Sequence, residues 1–494
     1  MIADNDLLSI QQARILAENA RAAQEKLAAF PQEKLDAGVE CLAKAIAPHV
    51  RELAEMSHAE TGYGNPADKE FKNRFVCGTL PERLRGMRCV GVLSDDADGR
   101  ILEVGVPLGV IAALCPVTGP VSTTIYKTLL AVKSGNAIIF SPHPAAVKSI
   151  TRALEILRAA AVACGLPEGC ISHLQTVTKS GTLELMRHPA TALLMITGVP
   201  GMFREARCIG KPIIYGGTGN GPAFVERSAN LRRAAKDIVT SKTFDNGIAP
   251  SAEQSIVVDA PVARGFAQAL RACGAYFMNE EESHRLAAIL FCADGRRKKG
   301  VIGLPAATLA RRAGIPAPEG TTILVAERKY VSESDPYSGE LLSPVLACYV
   351  EDDWLHACEK CLELLLHDRN AHTMIIHSED REVIRQFALK KPVGRLLVNT
   401  PGALGGIGAG TGLFPAMSLG CGASGIGITP DNVSPMNLIY IRKVGYGADL
   451  ADERAAGAEH AARENGDSDQ SQKIQALRRI LLEAAKVLDE PGQA

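Results

Sequence analysis

The sequence is poor in aromatic residues, in net charge and in long uninterrupted apolar runs. Aromatic side chains make up 4% of the 494 residues, and 54 Lys and Arg nearly balance 55 Asp and Glu. A net charge of -1 provides no field that would attract nucleic acid or anionic lipid. The longest apolar stretch, 104–121, is interrupted by Gly and Pro, so it cannot form the helix of about 20 residues that crosses a bilayer. Nucleic-acid binding is therefore excluded as the main function, and no transmembrane segment is predicted.

Cysteine is present, but its spacing is not that of a disulfide-bonded framework. Thirteen cysteines are scattered from Cys41 to Cys421, and an odd number in so long a chain predicts free thiols in a reducing cytosol. The first ten residues lack the basic and apolar regions of a signal peptide, so we expect a cytoplasmic location. Cys358, Cys361 and His356 are close in sequence, but they lie in a helical pattern with no second ligand pair at zinc spacing. No metal site is predicted.

Hydrophobic periodicity predicts the fold class. Residues 8–57 place Ala, Leu and Ile at helical spacing, which predicts two or three amphipathic helices. Over 101–216, short β-branched runs alternate with stretches long enough for helices, and the alternation resumes near 255–259. Such alternation is typical of a mostly parallel sheet covered by helices. The sequence therefore predicts an α/β protein with two α/β domains of similar size.

The C-terminal part has a different composition. Residues 448–472 are rich in Ala and charge and poor in large apolar groups, which predicts a flexible linker or a frayed helix. Residues 473–490 follow with an apolar stripe that includes Ile474, Leu477 and Leu481. A helix of about 16 residues is marginal alone in water, so the stripe needs a partner surface. Packing on its own domain and docking into a groove of another protein are both open.

Eight motifs occur in a fixed order between Val104 and Gly422. They read VGVPLGVIAALCPVTGPVSTTIYKTLLAVKSGNAIIFSPHP, ITGVPGMF, GKPIIYGGTGNGPAFVE, SKTFDNG, LSPVLACY, AHT, NTPGALGGIG and SLGCG. Together they resemble the CoA-acylating aldehyde dehydrogenases, including the aldehyde half of the bifunctional alcohol/aldehyde enzymes. The resemblance covers roughly residues 10–445, and an ordered set of motifs is far more specific than a single glycine pattern.

The resemblance implies an aldehyde dehydrogenase-like fold, with two Rossmann-like parallel-sheet domains and a small β oligomerisation arm. The N-terminal helices and the dinucleotide-binding domain would span 1–240, with 101–106 contributing to the arm. A catalytic-type α/β domain would span 241–430, and an oligomerisation strand would span 431–447. A strand arm that completes a neighbour's sheet implies a homo-oligomer, either a dimer or a tetramer.

The implied reaction converts an aldehyde, CoA and NAD into acyl-CoA and NADH through a cysteine thiolate, and the choice between NAD and NADP is open. The residues that the resemblance assigns to the dinucleotide are Ser141, Pro142, His143, Gly198, Gly201, Met202 and Glu340. The first three follow a strand, where parallel sheets leave a crevice for a dinucleotide. A carboxylate at 340 can accept ribose hydroxyls. Each position also has a structural interpretation, as a strand end, a glycine turn or a surface carboxylate.

The position of the family's nucleophile is occupied by Pro250. In the family, SKTFDNG is followed two residues later by the nucleophilic cysteine and then by Glu-Gln, and here no cysteine lies between Cys208 and Cys273. Proline fixes φ and has no N–H that could face an oxyanion. The neighbouring Ser251 could replace the thiol only with an adjacent base, because a serine hydroxyl is scarcely ionised at neutral pH. The normal nucleophile is absent.

Two further motifs belong to the implied catalytic site. The family's Pro-Thr-Thr-Asn-Pro turn is altered so that its third and fourth residues are Thr118 and Gly119, and the loss of one such amide donor typically costs roughly a hundred- to a thousandfold in rate. His372 belongs to a His-Thr pair typical of the acylating branch and could move a proton near neutral pH. A buried structural histidine is the alternative. Cys115 or Cys421 could be a relocated nucleophile, although a buried structural thiol is favoured for both.

Two hypotheses follow. In the first, the chain is an NAD-dependent acylating enzyme with unusual active-site residues. In the second, it is a catalytically silent subunit that keeps the nucleotide pocket and acts through assembly. The linker and terminal helix also resemble the encapsulation peptides that recruit this branch into bacterial microcompartments, which implies a shell protein as the partner of 473–490. A membrane-surface helix is the rival interpretation of that segment.

Overall fold

The computed structural model describes residues 4–96, 99–293, 295–367, 372–422, 427–447 and 473–479. Its α-helices are α1 (Asn5–Leu27), α2 (Gln32–Ile46), α3 (Val50–Thr61), α4 (Pro66–Leu84), α5 (Pro120–Lys133), α6 (Val147–Ala163), α7 (Lys179–Arg187), α8 (Pro200–Ala206), α9 (Leu231–Thr243), α10 (Ala260–Ala272), α11 (Glu280–Leu290), α12 (Ala306–Arg312), α13 (Trp354–His367), α14 (Arg381–Lys390) and α15 (Gly402–Gly406). Its strands are β1 (Gly91–Asp96), β2 (Ile101–Pro107), β3 (Val110–Leu114), β4 (Ile138–Ser141), β5 (Ile171–His173), β6 (Thr191–Thr197), β7 (Ile213–Gly216), β8 (Pro222–Val225), β9 (Ser255–Asp259), β10 (Ala275–Met278), β11 (Ile323–Glu327), β12 (Val345–Glu351), β13 (Thr373–His377), β14 (Arg395–Val398) and β15 (Ile439–Gly445).

The first parallel sheet has five strands in the order β5-β4-β3-β6-β7. Every residue of β3, β4 and α5 is buried. Parallel strands covered on both faces have near-continuous apolar sequences rather than alternating ones, which explains the runs VIAAL and IIFS. The N-terminal helices join the same hydrophobic core, since α1 buries Ala13, Ala17 and Ala20 in it.

The second parallel sheet has seven strands in the order β10-β11-β12-β9-β8-β13-β14. Each neighbouring pair in it is parallel, so the predicted α/β class is confirmed. Strand β8 lies in this second sheet, whereas the predicted boundary at 240/241 would place it in the first domain. Strand β7 belongs to the first sheet, whereas β8 pairs with β9 and β13 in the second. The chain therefore crosses between the sheets at 217–221.

The prediction that all thirteen cysteines are free is wrong for one pair. Cys41 on α2 and Cys164, which follows α6, form a disulfide with their Cα atoms 6.6 Å apart. Helices α2 and α6 pack on each other, and this tertiary contact brings the two thiols together across 123 residues of sequence. The other eleven cysteines are free.

A second, smaller unit contains residues 94–104 and the described residues from Arg442 onward. Within it, Lys443 Nζ lies 2.6 Å from Glu103 Oε1, and the Tyr446 N–H donates to the Arg100 carbonyl at 2.9 Å. Strands β1, β2 and β15 form a three-stranded sheet in that order. Strand β2 includes the predicted arm segment 101–106, but within the predicted strand 431–447 only Ile439–Gly445 is a strand, and Pro435–Leu438 forms a 3-10 helix.

Part of the C-terminal predictions lies outside the described residues. The predicted linker 448–472 and residues 480–490 of the predicted terminal helix are in this group. Residues 473–479 are helical, and all seven side chains are exposed. In the described part of the chain, no helix combines the length and apolarity needed to cross a membrane.

Candidate active site

The carboxyl ends of four strands of the first sheet meet at one cavity of about 240 Å³. Its wall includes residues 116–119 after β3, His143 after β4, residues 197–200 from the end of β6 and residues 216–218 from the end of β7. Open parallel sheets bind ligands in this crevice. The sequence predicted the crevice correctly for the strand-ending motifs, because those motifs follow buried apolar runs.

Pro250 lies in the wall of this cavity, beside Ser251 and His372. Its carbonyl oxygen packs against Gly219 so closely that a Cβ at 219 would overlap it, and the same Cβ would lie 3.1 Å from His372 Nε2. Only glycine can therefore occupy position 219 without moving Pro250. The residue at the predicted nucleophile position has neither a thiol nor an N–H to offer to a carbonyl group in the cavity.

No other side chain takes the place of the missing thiol in the part of the chain that the structure describes. Ser251 is 2% exposed, and its Oγ donates to the Ala403 carbonyl at 3.4 Å rather than to a base. Cys421 and Cys115 do not line the cavity. Burial raises the pKa of Cys421 to about 11 and also raises the pKa of Cys115. Both thiols are protonated at neutral pH, so a relocated nucleophile gains no support.

His372 is held as a neutral ring. Burial, and next the charge of Arg395, lower its pKa to about 3, which differs from the expectation that it exchanges a proton near neutral pH. Arg395 Nη1 donates to the Thr373 hydroxyl at 3.1 Å, and this hydroxyl lies 2.6 Å from His372 Nδ1. If the hydroxyl donates to Nδ1, the ring proton is on Nε2. His372 Nε2 has no hydrogen-bond partner among the described residues, so in this tautomer it is a donor near Pro250.

The predicted dinucleotide residues separate into two groups. His143, Gly198 and Glu340 line the cavity, together with Thr118 and Gly119. The residues that do not line it are Ser141, Pro142, Gly201 and Met202. The hydroxyl of Ser141 is buried and lies 2.8 Å from the Thr182 hydroxyl, which fixes it in the core. A position at a strand end correctly indicated the cavity wall for His143 and Gly198 but not for Ser141 and Pro142. Gly201 and Met202 lie on α8.

Glu340 is held by two donors. Its Oε1 accepts from the Gly219 N–H at 2.9 Å, and its Oε2 lies 2.9 Å from Arg297 Nη1. His143, Arg297 and Glu340 also line a second cavity of about 660 Å³, which Arg296 and Lys299 border as well. The sequence analysis did not identify Arg297. The only sequence feature that could have indicated it is the basic run RRKK at 296–299, and such a run by itself is typical of a solvent-exposed loop. The two cavities together provide a long cleft with cations along it.

A buried charge cluster supports the turn before α5. Asp245 is fully buried and lies 2.5 Å from Lys72 Nζ and 3.2 Å from Lys69 Nζ. Both ammonium groups also donate to the Thr118 carbonyl, at 3.2 and 3.3 Å. Burial alone would raise the pKa of Asp245, but the charges of Lys72 and Lys69 outweigh it and lower that pKa. Lys72 lines the cavity, so a cation that sequence reasoning missed lies next to Gly119.

A second buried group fixes the segment that follows Pro250. Lys242 Nζ donates to Gln254 Oε1 at 3.0 Å, and the Gly402 N–H donates to Glu253 Oε1 at 2.9 Å. Burial lowers the pKa of Lys242 to about 7 and raises that of Glu253 to about 7. Both side chains are fully buried and do not line the cavity, so they hold the Glu-Gln motif in place rather than contact a ligand.

Comparisons with known proteins agree with this architecture. Residues 2–275 match the model of a family described as the aldehyde dehydrogenase family. The aldehyde-alcohol dehydrogenase of Streptococcus pneumoniae is 37% identical over 80% of this chain and 46% of its own length, so the chain spans about half the length of such relatives. The succinate-semialdehyde dehydrogenase (acetylating) of Clostridium kluyveri is 31% identical over 87% of this chain and 95% of its own length.

Solved structures show the same fold. A probable aldehyde dehydrogenase from Listeria monocytogenes has a TM-score of 0.89 and 45% identity, and the match covers 91% of this chain and 100% of that one. A propionaldehyde dehydrogenase from the fucose-utilisation bacterial microcompartment of Clostridium phytofermentans has a TM-score of 0.79 and 26% identity, with 88% and 97% covered. A Rhodopseudomonas palustris propionaldehyde dehydrogenase with bound propionyl-CoA has a TM-score of 0.79 and 26% identity, with 88% and 94% covered.

Proposed function

The chain belongs to the aldehyde dehydrogenase family, and within it to the CoA-acylating aldehyde dehydrogenases, and from this premise we propose that it binds nucleotide without forming an acyl-enzyme. One observation carries the proposal: Pro250 occupies the cavity wall next to His372, at the position that the SKTFDNG motif gives to the nucleophile. A cysteine thiolate is the group that attacks the aldehyde in the reaction implied for this branch. Without it, the first covalent step has no acceptor atom.

The surroundings of Pro250 support a loss of acyl transfer. Gly119 removes the amide of the family's turn, and Ser251 has a carbonyl partner in place of a base. His372 is neutral, so it cannot lower the pKa of a nearby nucleophile by its charge. Each of these groups would have to change for serine chemistry to replace thiol chemistry. An acylating enzyme with standard chemistry is therefore the less favoured of the two hypotheses.

The cleft keeps the features that would hold NAD or NADP and CoA. Gly198 has a φ of +64°, a conformation that permits close backbone approach after β6. Glu340 lies in the wall with Oε1 fixed by a backbone N–H, and a carboxylate is a group that can accept ribose hydroxyls. Arg297 and Lys299 provide positive charge in the larger cavity. When bound, a nicotinamide supplies hydride chemistry and CoA supplies a thiol; these residues only position them.

Calorimetry and a rate assay on the full chain test the proposal. We expect saturable binding of NAD⁺ or NADP⁺ and of CoA, and no NADH-dependent reduction of propionyl-CoA. Glu340→Gln should weaken dinucleotide binding by roughly tenfold or more, because a hydrogen bond to a charged group contributes about 1.5–3 kcal/mol. Glu327→Gln, an exposed substitution at the end of β11, is the matched control. Measurable turnover by the unchanged chain, or no binding of either nucleotide, would contradict the proposal.

We also propose that the chain is a homo-oligomer and that residues 473–490 recruit it to a bacterial microcompartment in the cytoplasm by binding a shell protein. Within 473–479, Ile474 and Leu477 are 59% and 62% exposed and are three residues apart, so they share one helical face. An unpartnered apolar face fits helix-in-groove recognition. One structural relative comes from such a compartment.

Fusing residues 448–494 to a fluorescent protein tests this recruitment. Purified shells should retain the fusion, and Leu477→Glu should abolish the retention because it places a charge on the docking face. Arg479→Glu changes charge at a neighbouring position and is the control for membrane-surface binding, which would need the basic residues. Equal retention of all three fusions would contradict a specific docking helix.

A further inference from the structure

We propose that the Gly119 end of the cavity binds the carboxylate of a short-chain organic acid, an inference that rests on the proposed loss of acyl transfer and names the ligand class of the same cleft. The Gly119 end is defined by Lys72, Gly119, Ser122 and Thr123, all of which line the cavity. A Cβ at 119 would lie 3.3 Å from Ser122 Oγ, 3.6 Å from Lys72 Nζ and 3.8 Å from Thr123 Oγ1. Position 119 is thus bordered by one ammonium and two hydroxyl groups, and a side chain there would press on Ser122 Oγ.

Lys72 has a donor to spare at this end. Its ammonium carries three N–H bonds, and within the described part of the chain it donates to Asp245 Oδ2 at 2.5 Å and to the Thr118 carbonyl at 3.2 Å. The side chain is 10% exposed, so water stabilises its charge only weakly. A buried cation that faces a cavity favours an anionic ligand group, because the attraction is stronger where the local dielectric is low.

Thr123 points to a ligand independently of this charge. It is 2% exposed, lines the cavity, and none of the described hydrogen bonds involves its hydroxyl. A hydroxyl in a cavity wall that makes no hydrogen bond to the protein can donate one to a bound molecule. Ser122 Oγ donates only a long hydrogen bond, 3.4 Å, to the Gly119 carbonyl.

The start of α5 adds further donors. Gly119 is the N-cap of this 14-residue helix, no side chain caps it, and Pro120 occupies the first turn. The free N–H groups at a helix N-terminus carry a partial positive charge that stabilises anions. In the family's turn, an asparagine side chain would fill this space. Its replacement by glycine opens the helix start to the cavity.

The other charged groups near the Gly119 end have partners of their own and do not occupy the proposed carboxylate site. Lys69 also pairs with Asp245 at 3.2 Å, so two ammonium groups face one aspartate. Asp68 Oδ2 accepts from the Asp245 N–H at 2.7 Å and from Asn65 Nδ2 at 2.6 Å, and these amide donors stabilise its charge. The Glu340 carboxylate is paired with Arg297. No carboxylate other than Asp245 makes a described contact with Lys72.

The rest of the cavity selects the organic part of the ligand. The cavity wall also includes the apolar side chains of Phe244, Ile248, Ile407 and Leu419. A volume of about 240 Å³ admits a ligand of a few carbon atoms. An apolar body with one anionic end describes an acid such as propionate, the oxidised counterpart of the aldehydes that this branch handles. Without a nucleophile, an aldehyde gains no covalent bond here, whereas the acid gains the charge interaction.

Titration calorimetry of the full chain with sodium propionate tests the site, with propionamide, inorganic phosphate and propionaldehyde as parallel probes. We expect saturable propionate binding, at least tenfold tighter than propionamide and phosphate. Gly119→Asn should weaken propionate binding at least tenfold by filling the space, and the backbone tolerates it because φ at 119 is -149°. Thr123→Val should weaken it several-fold while the NAD⁺ affinity stays the same.

Each alternative outcome has a defined meaning. Equal affinity for propionate and propionamide, or an unchanged affinity in Gly119→Asn, would overturn the carboxylate site. Tighter binding of inorganic phosphate would also overturn it and would assign the end to a nucleotide phosphate. Absent propionate binding beside normal NAD⁺ and CoA titrations would reject this inference alone, whereas loss of nucleotide binding would reject the proposed function.

Discussion

Replacing Pro250 with cysteine is expected to produce a covalent acyl-enzyme where the unchanged chain forms none. Residue 250 lines the cavity, and a thiol of pKa about 8.5 is already a few per cent thiolate at neutral pH. Intact-protein mass spectrometry after incubation with propionyl-CoA should detect one added propionyl group in Pro250→Cys and none in the unchanged chain. Adding Gly119→Asn to the variant should raise the acylation rate by roughly a hundred- to a thousandfold, because it restores an amide donor for the oxyanion.

Pro250→Ser is the matched control for the cysteine variant. It removes the proline ring and restores the backbone N–H, as cysteine does, but its hydroxyl is scarcely ionised without a base. It should therefore remain unacylated. A propionyl group on any side chain of the unchanged protein would contradict the assignment of Pro250 as the cause of silence. Equal acylation of Pro250→Ser and Pro250→Cys would show that backbone geometry, rather than the missing sulfur, limits the reaction.

The sequence predicted the parts of this fold that depend on local pattern. The buried runs of β3 and β4 have the composition of parallel strands, and the glycine and proline residues after them mark the crevice where His143 and Gly198 lie. The family resemblance, not local pattern, assigned Gly119, Pro250 and His372 to one catalytic site, and these residues line one cavity. Local pattern was sufficient only for the strands and the turns that end them.

The features that the sequence did not predict depend on contacts between distant residues. Lys72 is a surface-type residue by composition, and only its partner Asp245, on a segment with a φ of +48°, makes it a buried cation. The Cys41–Cys164 disulfide likewise depends on how two helices pack. Strand β8 joins the second sheet although its sequence gives no sign of which sheet it pairs with. Pairing partners are a property of the tertiary structure, so periodicity cannot supply them.

The second large effect is expected from Asp245→Asn, which removes one charge from the buried cluster. Breaking a buried ion pair by neutralising one partner typically costs about 3–5 kcal/mol, because the remaining charge is left uncompensated. Asparagine keeps the shape, still accepts the Asn65 N–H through Oδ1, and tolerates a positive φ. The free energy of unfolding in urea should therefore fall by about that amount. Glu184→Gln breaks the exposed Arg14–Glu184 pair and should cost less than about 1 kcal/mol.

The pH dependence of this loss identifies its cause. Burial, and next the charge of Lys72, lower the pKa of Lys69 to about 8, below the 10.5 of the free side chain. Above pH 8 the Lys69 side chain therefore binds more protons in the unfolded state than in the native state. The contribution of Lys69 to the free energy of unfolding then rises with pH. The charge of Asp245 raises the pKa of Lys69. Without that charge, the native-state pKa of Lys69 falls further, so the free energy of unfolding begins to rise at a lower pH. The deficit of Asp245→Asn should thus shrink between about pH 6 and pH 8, and Asp245→Asn/Lys69→Met should recover part of it at the lower pH. A deficit that stays constant with pH would instead assign the loss to packing or backbone strain at position 245.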